Sequence, residues 1–482
     1  MLMRAVVLGY VGLLAVLACY GACRYYLLAL YYGVKASPAS AARVLSDWPR
    51  VTIEIPVYNE RYVVERVIRS ACEVDYPADR LEIQVLDDST DDTSQVVERT
   101  FASARRRGLR LVHRRRPERR VFKAGALAEG LAEASGVFVA VFDADFVIPR
   151  DFLTRTLPFF TDPSVGMVQA RWGHLNPRES FLTYVQALLL DGHFAIEQVA
   201  RHGAGRFFNF NGTAGIWRAA AIRTAGGWQA DTLTEDLDLS YRAQLAGWRC
   251  VYLPDLVSPA ELPADIHALK SQQYRWTKGS IQTAKKLLPR ILTSRLSWSV
   301  KTDAFFHLTS FFTYPLALMA GLGLPLFLLG VLPATPHDGL TDVLWVFLLP
   351  VPAVCFYLCA QRALSANWMT KAALLPGILA VGMGLLVNNA RAVLDGLWGG
   401  GSSEFIRTVK VGTQAPAIRR RGYRASGTST EWLELLLAVY FAFGCWEAVV
   451  HRQFVSLAYA VLFCQGFTYV GWLSLWQRVW DS

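Results

Sequence analysis

The nine residues Val137-Phe138-Val139-Ala140-Val141-Phe142-Asp143-Ala144-Asp145 decide how this chain is read. The first six form an apolar strand, and the strand delivers two carboxylates to its end, where they repel each other unless a cation lies between them. Oxygen donors of this kind suit Mg²⁺ or Mn²⁺, usually held by one or two carboxylates plus the phosphates of a substrate. A turn closed by an aspartate is the plain alternative, because Asp is frequent in such turns. An isolated Asp-x-Asp does not separate the two readings.

Working outward, strand-like runs at 51–55, 81–86 and 109–113 alternate with helical patterns at 61–72, 94–105 and 123–134. Such alternation predicts βαβ units and a mostly parallel sheet. Ligands of open sheets bind beyond the carboxyl ends of the strands. Besides Asp143 and Asp145, those positions hold Pro56-Val57-Tyr58-Asn59-Glu60 and Asp87-Asp88-Ser89-Thr90-Asp91-Asp92. Asp88 is placed to take a ribose or base by hydrogen bonding. Helix capping accounts for Asp91, Asp92 or Thr93 but does not require Asp87 and Asp88 as well.

The polar region that carries these motifs is bounded by apolar stretches. The 482-residue chain is 53% hydrophobic and 18% charged, too large and too apolar for one ordinary soluble domain. A helix needs about 20 apolar residues to cross a bilayer, and 5–32, 304–332, 342–364, 432–450 and 454–476 each qualify, with 372–393 ambiguous. The first runs past the length of a signal-peptide core and reads as a retained anchor. The eight cysteines lie mostly inside the spans and read as small buried hydrophobes. The net charge of +10 sits in the segments between spans, which membrane orientation explains without nucleic acid. The arginine-dense stretch 105–120 reads as a solvated face near anionic head groups.

Two further elements carry chemistry. Thr234-Glu235-Asp236 opens a helical pattern, so Asp236 is either a dipole partner at a helix start or a general base for an attacking hydroxyl. Gln272-Gln273-Tyr274-Arg275-Trp276 combines amides, a guanidinium suited to phosphate and an indole on which a sugar ring can stack. An aromatic and basic belt at the membrane interface is the plain reading of the same residues.

Asp88, Asp143-Ala144-Asp145, Thr234-Glu235-Asp236 and Gln272-x-x-Arg275-Trp276, in this order, resemble the signature of the processive family 2 glycosyltransferases. With the run Phe210-Asn211-Gly212-Thr213-Ala214-Gly215-Ile216-Trp217-Arg218 the resemblance is strongest to the cellulose synthase-like A and C proteins, which make mannan, glucomannan or β-glucan backbones. It covers about 51–280. It implies an α/β GT-A domain, Rossmann-like with a mostly parallel sheet, attached to an α-helical transmembrane region. The implied roles are Tyr58, Glu60, Asp88, Lys123, Asp143, Gln272 and Arg275 for the nucleotide sugar, and Asp143 with Asp145 for Mg²⁺ or Mn²⁺. Asp236 with Glu235 would be catalytic, and Trp276 with Gln273 would bind the acceptor. Phe405-Ile406-Arg407-Thr408-Val409-Lys410 is similar to the family's gating loop, through Phe405, Thr408 and Lys410.

If 372–393 crossed the bilayer, the basic loop after it would lie outside, against the positive-inside rule. That segment is therefore expected along the cytosolic interface. The expected organisation is an anchor at 1–35, a cytosolic glycosyltransferase domain at 48–295, two spans in 300–364, an interfacial helix and basic loop at 370–430, and two spans in 431–478. The expected protein is a multi-pass integral membrane protein, of a bacterial inner membrane, with its catalytic domain cytosolic. The expected partners are a nucleotide sugar such as UDP-glucose or GDP-mannose, a glycan or lipid acceptor, and membrane lipids. The expected activity is inverting hexosyl transfer to a growing β-linked polysaccharide, coupled to translocation. A single-addition ceramide or diacylglycerol glucosyltransferase is the rival enzyme. A transporter is disfavoured, because the acids cluster outside the spans.

Overall fold

The computed structural model describes residues 2–35, 45, 47–104, 108–329, 350–399, 408, 410, 412 and 430–480. The polar region folds around a seven-stranded sheet of order β3-β2-β1-β4-β6-β5-β7. Its strands are β1 (Val51–Val57), β2 (Leu81–Asp87), β3 (Arg110–Arg115), β4 (Phe138–Val141), β5 (Val165–His174), β6 (Gly215–Arg218) and β7 (Arg249–Ala260). β6 runs antiparallel to both β4 and β5, and every other pairing is parallel. β1, β2 and β4 are buried on both faces of the sheet; β4 is apolar throughout, whereas β1 and β2 alternate apolar residues with the buried polar Thr52, Glu54, Glu82 and Gln84. Val139 and Val141 pack with Leu127 and Trp217 in one core, whereas Ala140 and Phe142 pack with Ile53 and Val67 in the other.

The helices of the first half follow the expected alternation, at Val64–Cys72, Thr93–Ala104 and Phe122–Glu133. β5, β6 and β7 were not anticipated. β6 is four residues long, and what fixes it is its place between β4 and β5 rather than any periodicity of its own.

Among the described residues four helices are long and apolar enough to cross a membrane: Ala5–Val34, Trp298–Leu328, Glu431–Val450 and Phe454–Val479. The span expected at 342–364 lies partly outside the described residues, which hold its second half as the helix Pro350–Leu364. The ambiguous stretch is two helices, Trp368–Gly384 and Leu386–Trp398, bent by 46°. The first crosses Phe454–Trp480 closely enough that a Cβ on Gly384 would stand 2.3 Å from the Gly466 carbonyl oxygen. The second lies along the helix Ile266–Thr293. Asn388 Nδ2 donates to the Lys270 carbonyl at 3.0 Å, Tyr274 Oη to Asp395 Oδ2 at 2.5 Å, and Lys285 Nζ to the Leu397 carbonyl at 2.5 Å.

Another tie fixes the 266–293 helix to the apolar helices Glu431–Val450 and Phe454–Trp480. Lys270 Nζ, fully buried, donates to Glu434 Oε2 at 2.7 Å and to Ser474 Oγ at 2.8 Å. A buried charge persists only when paired and hydrogen-bonded, so these contacts hold the helix bearing Gln272, Arg275 and Trp276 against the two apolar helices.

Candidate active site

One cleft collects the strand ends. Its walls include Tyr58, Glu60, Asp88, Lys123, Asp143, Asp145, Glu235, Asp236, Gln272, Arg275, Trp276, Thr408 and Lys410. β4 stops at Val141 and the chain turns at once, so Asp143 and Asp145 stand at the floor. The Asp143 backbone N–H donates to Thr213 Oγ1 at 2.9 Å, which joins the Asp-Ala-Asp turn to the Phe210–Arg218 run.

Lys123 reaches this floor from the first turn of its helix. Its Nζ donates to Asp143 Oδ1 at 2.6 Å and to the Gly212 carbonyl at 2.9 Å, and lies 3.9 Å from Glu235 Oε1. Burial works against the charged ammonium, but Asp143 and Glu235 more than reverse this and raise its pKa. The two residues before it, Val121 and Phe122, both have φ of +50, a strained backbone for side-chain-bearing residues.

Glu235 and Asp236 open the helix Glu235–Leu245. Burial, then the neighbouring Glu235 carboxylate, pushes the Asp236 carboxyl up to about 7. Glu235 is also pushed up, chiefly by burial. Gly212 faces Asp236 with φ +80, and a Cβ there would stand 2.8 Å from Asp236 Oδ2. Only glycine combines that backbone with that proximity.

Gln272, Arg275 and Trp276 fall at i, i+3 and i+4 of the 266–293 helix, hence on one face, and that face forms a wall of the cleft. Gln273, expected beside Trp276, is not among the cleft-lining residues, because one residue along a helix turns the side chain by about 100°. Burial lowers the Arg275 guanidinium to about 10, and its Nη2 donates to Thr408 Oγ1 at 2.8 Å. Lys410 Nζ pairs with Asp145 Oδ2 at 2.8 Å. Phe405, the third expected member of that loop, lies outside the described residues.

The arginine-dense stretch is solvated only in part: among its described residues Arg110, Arg115 and Arg120 are exposed, whereas Arg116 and Arg119 turn inward. Arg116 is only 5% exposed and meets Asp88 through two bonds, Nε to Oδ1 at 2.7 Å and Nη2 to Oδ2 at 2.5 Å. Arg119 lies 3.5 Å over the Tyr58 ring and lines the cleft. Sequence reasoning missed both because β3, ending at Arg115, turns the chain back over the second strand's end. Only the position of these arginines just past a predicted strand could have singled them out.

Comparison with known proteins places this architecture. The family model described as "Glycosyltransferase like family 2" matches residues 49–279. Glucomannan 4-beta-mannosyltransferase 7 of Arabidopsis thaliana is 35% identical over 450 residues, covering 88% of this chain and 78% of the relative. Probable glucomannan 4-beta-mannosyltransferase 9 of Oryza sativa subsp. japonica is 34% identical over 446 residues, covering 88% and 80%. The chain belongs to the cellulose synthase-like family 2 glycosyltransferases. The GT-A fold of this glycosyltransferase is shared with a mannosyltransferase from Pyrobaculum calidifontis solved in complex with GDP-Man and Mn²⁺. That likeness has a TM-score of 0.54 at 23% identity and covers 81% of this chain and all of the other. As a family 2 glycosyltransferase the protein acts on a nucleotide sugar.

The residues at the cleft floor fit a divalent cation of the expected kind. Among the described residues no cluster of three or more His, Cys, Asp or Glu forms an all-protein cage. Asp143 and Asp145 instead offer a two-carboxylate edge, and each already attracts a cation, Lys123 and Lys410 respectively. Such an edge suits Mg²⁺ or Mn²⁺ that completes its shell with phosphate oxygens.

Proposed function

We propose that the protein transfers mannose from GDP-mannose, with inversion, to the end of a growing β-linked mannan or glucomannan, and passes the product into the membrane. One observation carries the proposal. Asp236, a carboxyl with a pKa near neutrality, shares a cleft with Lys123, Arg275 and Trp276 in a chain that is 35% identical over 450 residues to a glucomannan mannosyltransferase.

In this reading Asp236 takes the proton of the acceptor hydroxyl as that oxygen attacks the anomeric carbon. Arg275 and Lys123 neutralise charge that develops on the departing diphosphate, and Trp276 stacks against the acceptor sugar. Asp143 and Asp145 would hold the Mg²⁺ or Mn²⁺, which supplies electrostatic stabilisation of the leaving group when bound. Tyr58, Glu60 and Asp88 surround the base and ribose, and Thr408 and Lys410 cover the donor. The relatives named above are plant proteins, so a bacterial inner membrane in particular has no support from them.

A second cavity supports the path of the product. It encloses about 990 Å³ among the helices Ala5–Val34, Trp298–Leu328, Pro350–Leu364 and Phe454–Val479. Polar and aromatic residues such as Tyr20, Arg201, Asp303 and Phe306 line it.

Purified protein in detergent, given labelled GDP-mannose or UDP-glucose with Mn²⁺ or Mg²⁺, tests the reading. A ladder of β-linked mannosyl products is expected. A single sugar on a lipid, or transfer from UDP-glucose alone, overturns it.

A further inference from the structure

A chain of polar side chains runs from the cleft to the second cavity. The helix Phe181–Gly192 continues through a π-helical turn, His193–Glu197, into Gln198–Gly203. A π turn holds one more residue than an α turn, and such turns are concentrated at functional sites. Here its two ends, His193 and Glu197, are hydrogen-bonded to each other, and Glu197 lines the cavity.

Asn211 lines the cleft, and its side chain is anchored by one hydrogen bond at each amide atom, which leaves a second N–H and a second oxygen lone pair. Its Nδ2 donates to His193 Nε2 at 3.0 Å, and its Oδ1 accepts from Gln198 Nε2 at 2.7 Å. His193 Nε2 therefore carries no proton, which leaves Nδ1–H to donate to Glu197 Oε2 at 3.1 Å. Glu197 Oε1 accepts from Arg201 Nε at 3.1 Å, and Arg201 pairs with Asp303. Burial alone would raise the Glu197 carboxyl, but Arg201 and His193 hold it well below the usual range, so it stays ionised. Glu197, Arg201 and Asp303 all line the cavity. Asn211 is joined to Gly212, whose near contact with Asp236 was described above.

We propose that His193 and Glu197 are positioning residues for the acceptor, fixing Asn211 at the threshold between cleft and cavity so that the glycan end is registered against Asp236. The inference rests on the polymer reading above. An amide is suited to the task, since it offers a donor and an acceptor to sugar hydroxyls without charge. Held by two side chains, His193 and Gln198, it binds without ordering itself first.

The test is steady-state kinetics on the full chain in detergent, with β-linked manno-oligosaccharides as the varied acceptor. His193→Phe removes both ring hydrogen bonds and keeps bulk. It is expected to raise the acceptor KM about tenfold while the donor KM stays within about twofold, as loss of a charge-assisted network confined to one substrate predicts. His193→Gln keeps an acceptor for Asn211 and a donor for Glu197, and is expected to recover most of the loss. A merely structural role would move both KM values together and gain nothing from glutamine. If His193→Phe does not fold, His193→Ala assayed with and without imidazole reads the same contacts. Equal acceptor KM in wild type and variant, or glutamine no better than phenylalanine, overturns the inference alone. A wild type that shows no saturable dependence on the oligosaccharide overturns the polymer reading and this inference with it.

Discussion

Arg116 grips Asp88 through two parallel hydrogen bonds, at 2.7 and 2.5 Å, with both side chains almost wholly buried. Two charges taken out of water in this geometry depend on each other, and removing one leaves the other buried and uncompensated. Arg116→Lys keeps the charge but loses the fork. It should weaken binding of the nucleoside diphosphate by about tenfold, since a bidentate ion pair at such a site is worth roughly 1.5–3 kcal/mol. Isothermal titration with GDP measures this, and an unchanged affinity would separate Asp88 from the nucleotide.

Asp236 gives a sharper test. Asp236→Asn keeps shape and removes the base, so transfer should fall by at least about a hundredfold. GDP affinity should stay within about threefold. Loss of both together would place the residue in binding rather than proton removal.

The same carboxyl sets the pH response. It must be ionised to accept a proton, and burial with Glu235 beside it pushes it up to about 7. kcat/KM should therefore fall on the acid side of about pH 7, roughly tenfold per unit at the limit. Lys123 draws this pKa down, so Lys123→Met should move the acid limb to higher pH. A limb that stays in place, or moves the other way, contradicts the assignment.

Gly212→Ala should reduce kcat at least about tenfold with little change in GDP affinity. The substitution places a methyl against Asp236 Oδ2 at a φ of +80, a conformation that costs a side-chain-bearing residue about 1–2 kcal/mol. Thermal unfolding in detergent, run alongside the kinetics, should show a loss of only a few degrees.

Lys270→Met leaves Glu434 and its neighbours buried without their cation. Breaking a buried pair costs about 3–5 kcal/mol, whereas replacing both partners with apolar residues is often neutral. The single variant should lose stability strongly and the double variant Lys270→Met with Glu434→Met should regain most of it, as read by unfolding in detergent.

The first half of the fold was legible because β1 to β4 and their helices announce themselves locally. The βαβ rhythm then placed Asp88, Asp143 and Asp145 at strand ends without help from tertiary structure. Gln272, Arg275 and Trp276 are equally readable, since their spacing is that of one helix face, a face on which Gln273 does not fall. What escaped was decided at long range. β6 exists through pairing on both sides. Arg116 is defined by Asp88, 28 positions earlier. The turn at His193 breaks the α-helical period, which periodicity cannot report. The stretch 372–393 reads as one apolar run, and only its contacts with Gly466 and with the 266–293 helix divide it in two.

The Lys270–Glu434 pair also bears on how the chain is made. These partners are 164 positions apart, so a ribosome exposes the ammonium long before its carboxylate has been synthesised. Until the apolar helices Glu431–Val450 and Phe454–Val479 have been made, the helix that presents Trp276 has a charge with nowhere dry to go and must stay in contact with water. The transferase half is thus completed by a segment that emerges 164 positions after Lys270, and a chain halted before residue 430 should be recognised as unfinished rather than accumulate as a working fragment.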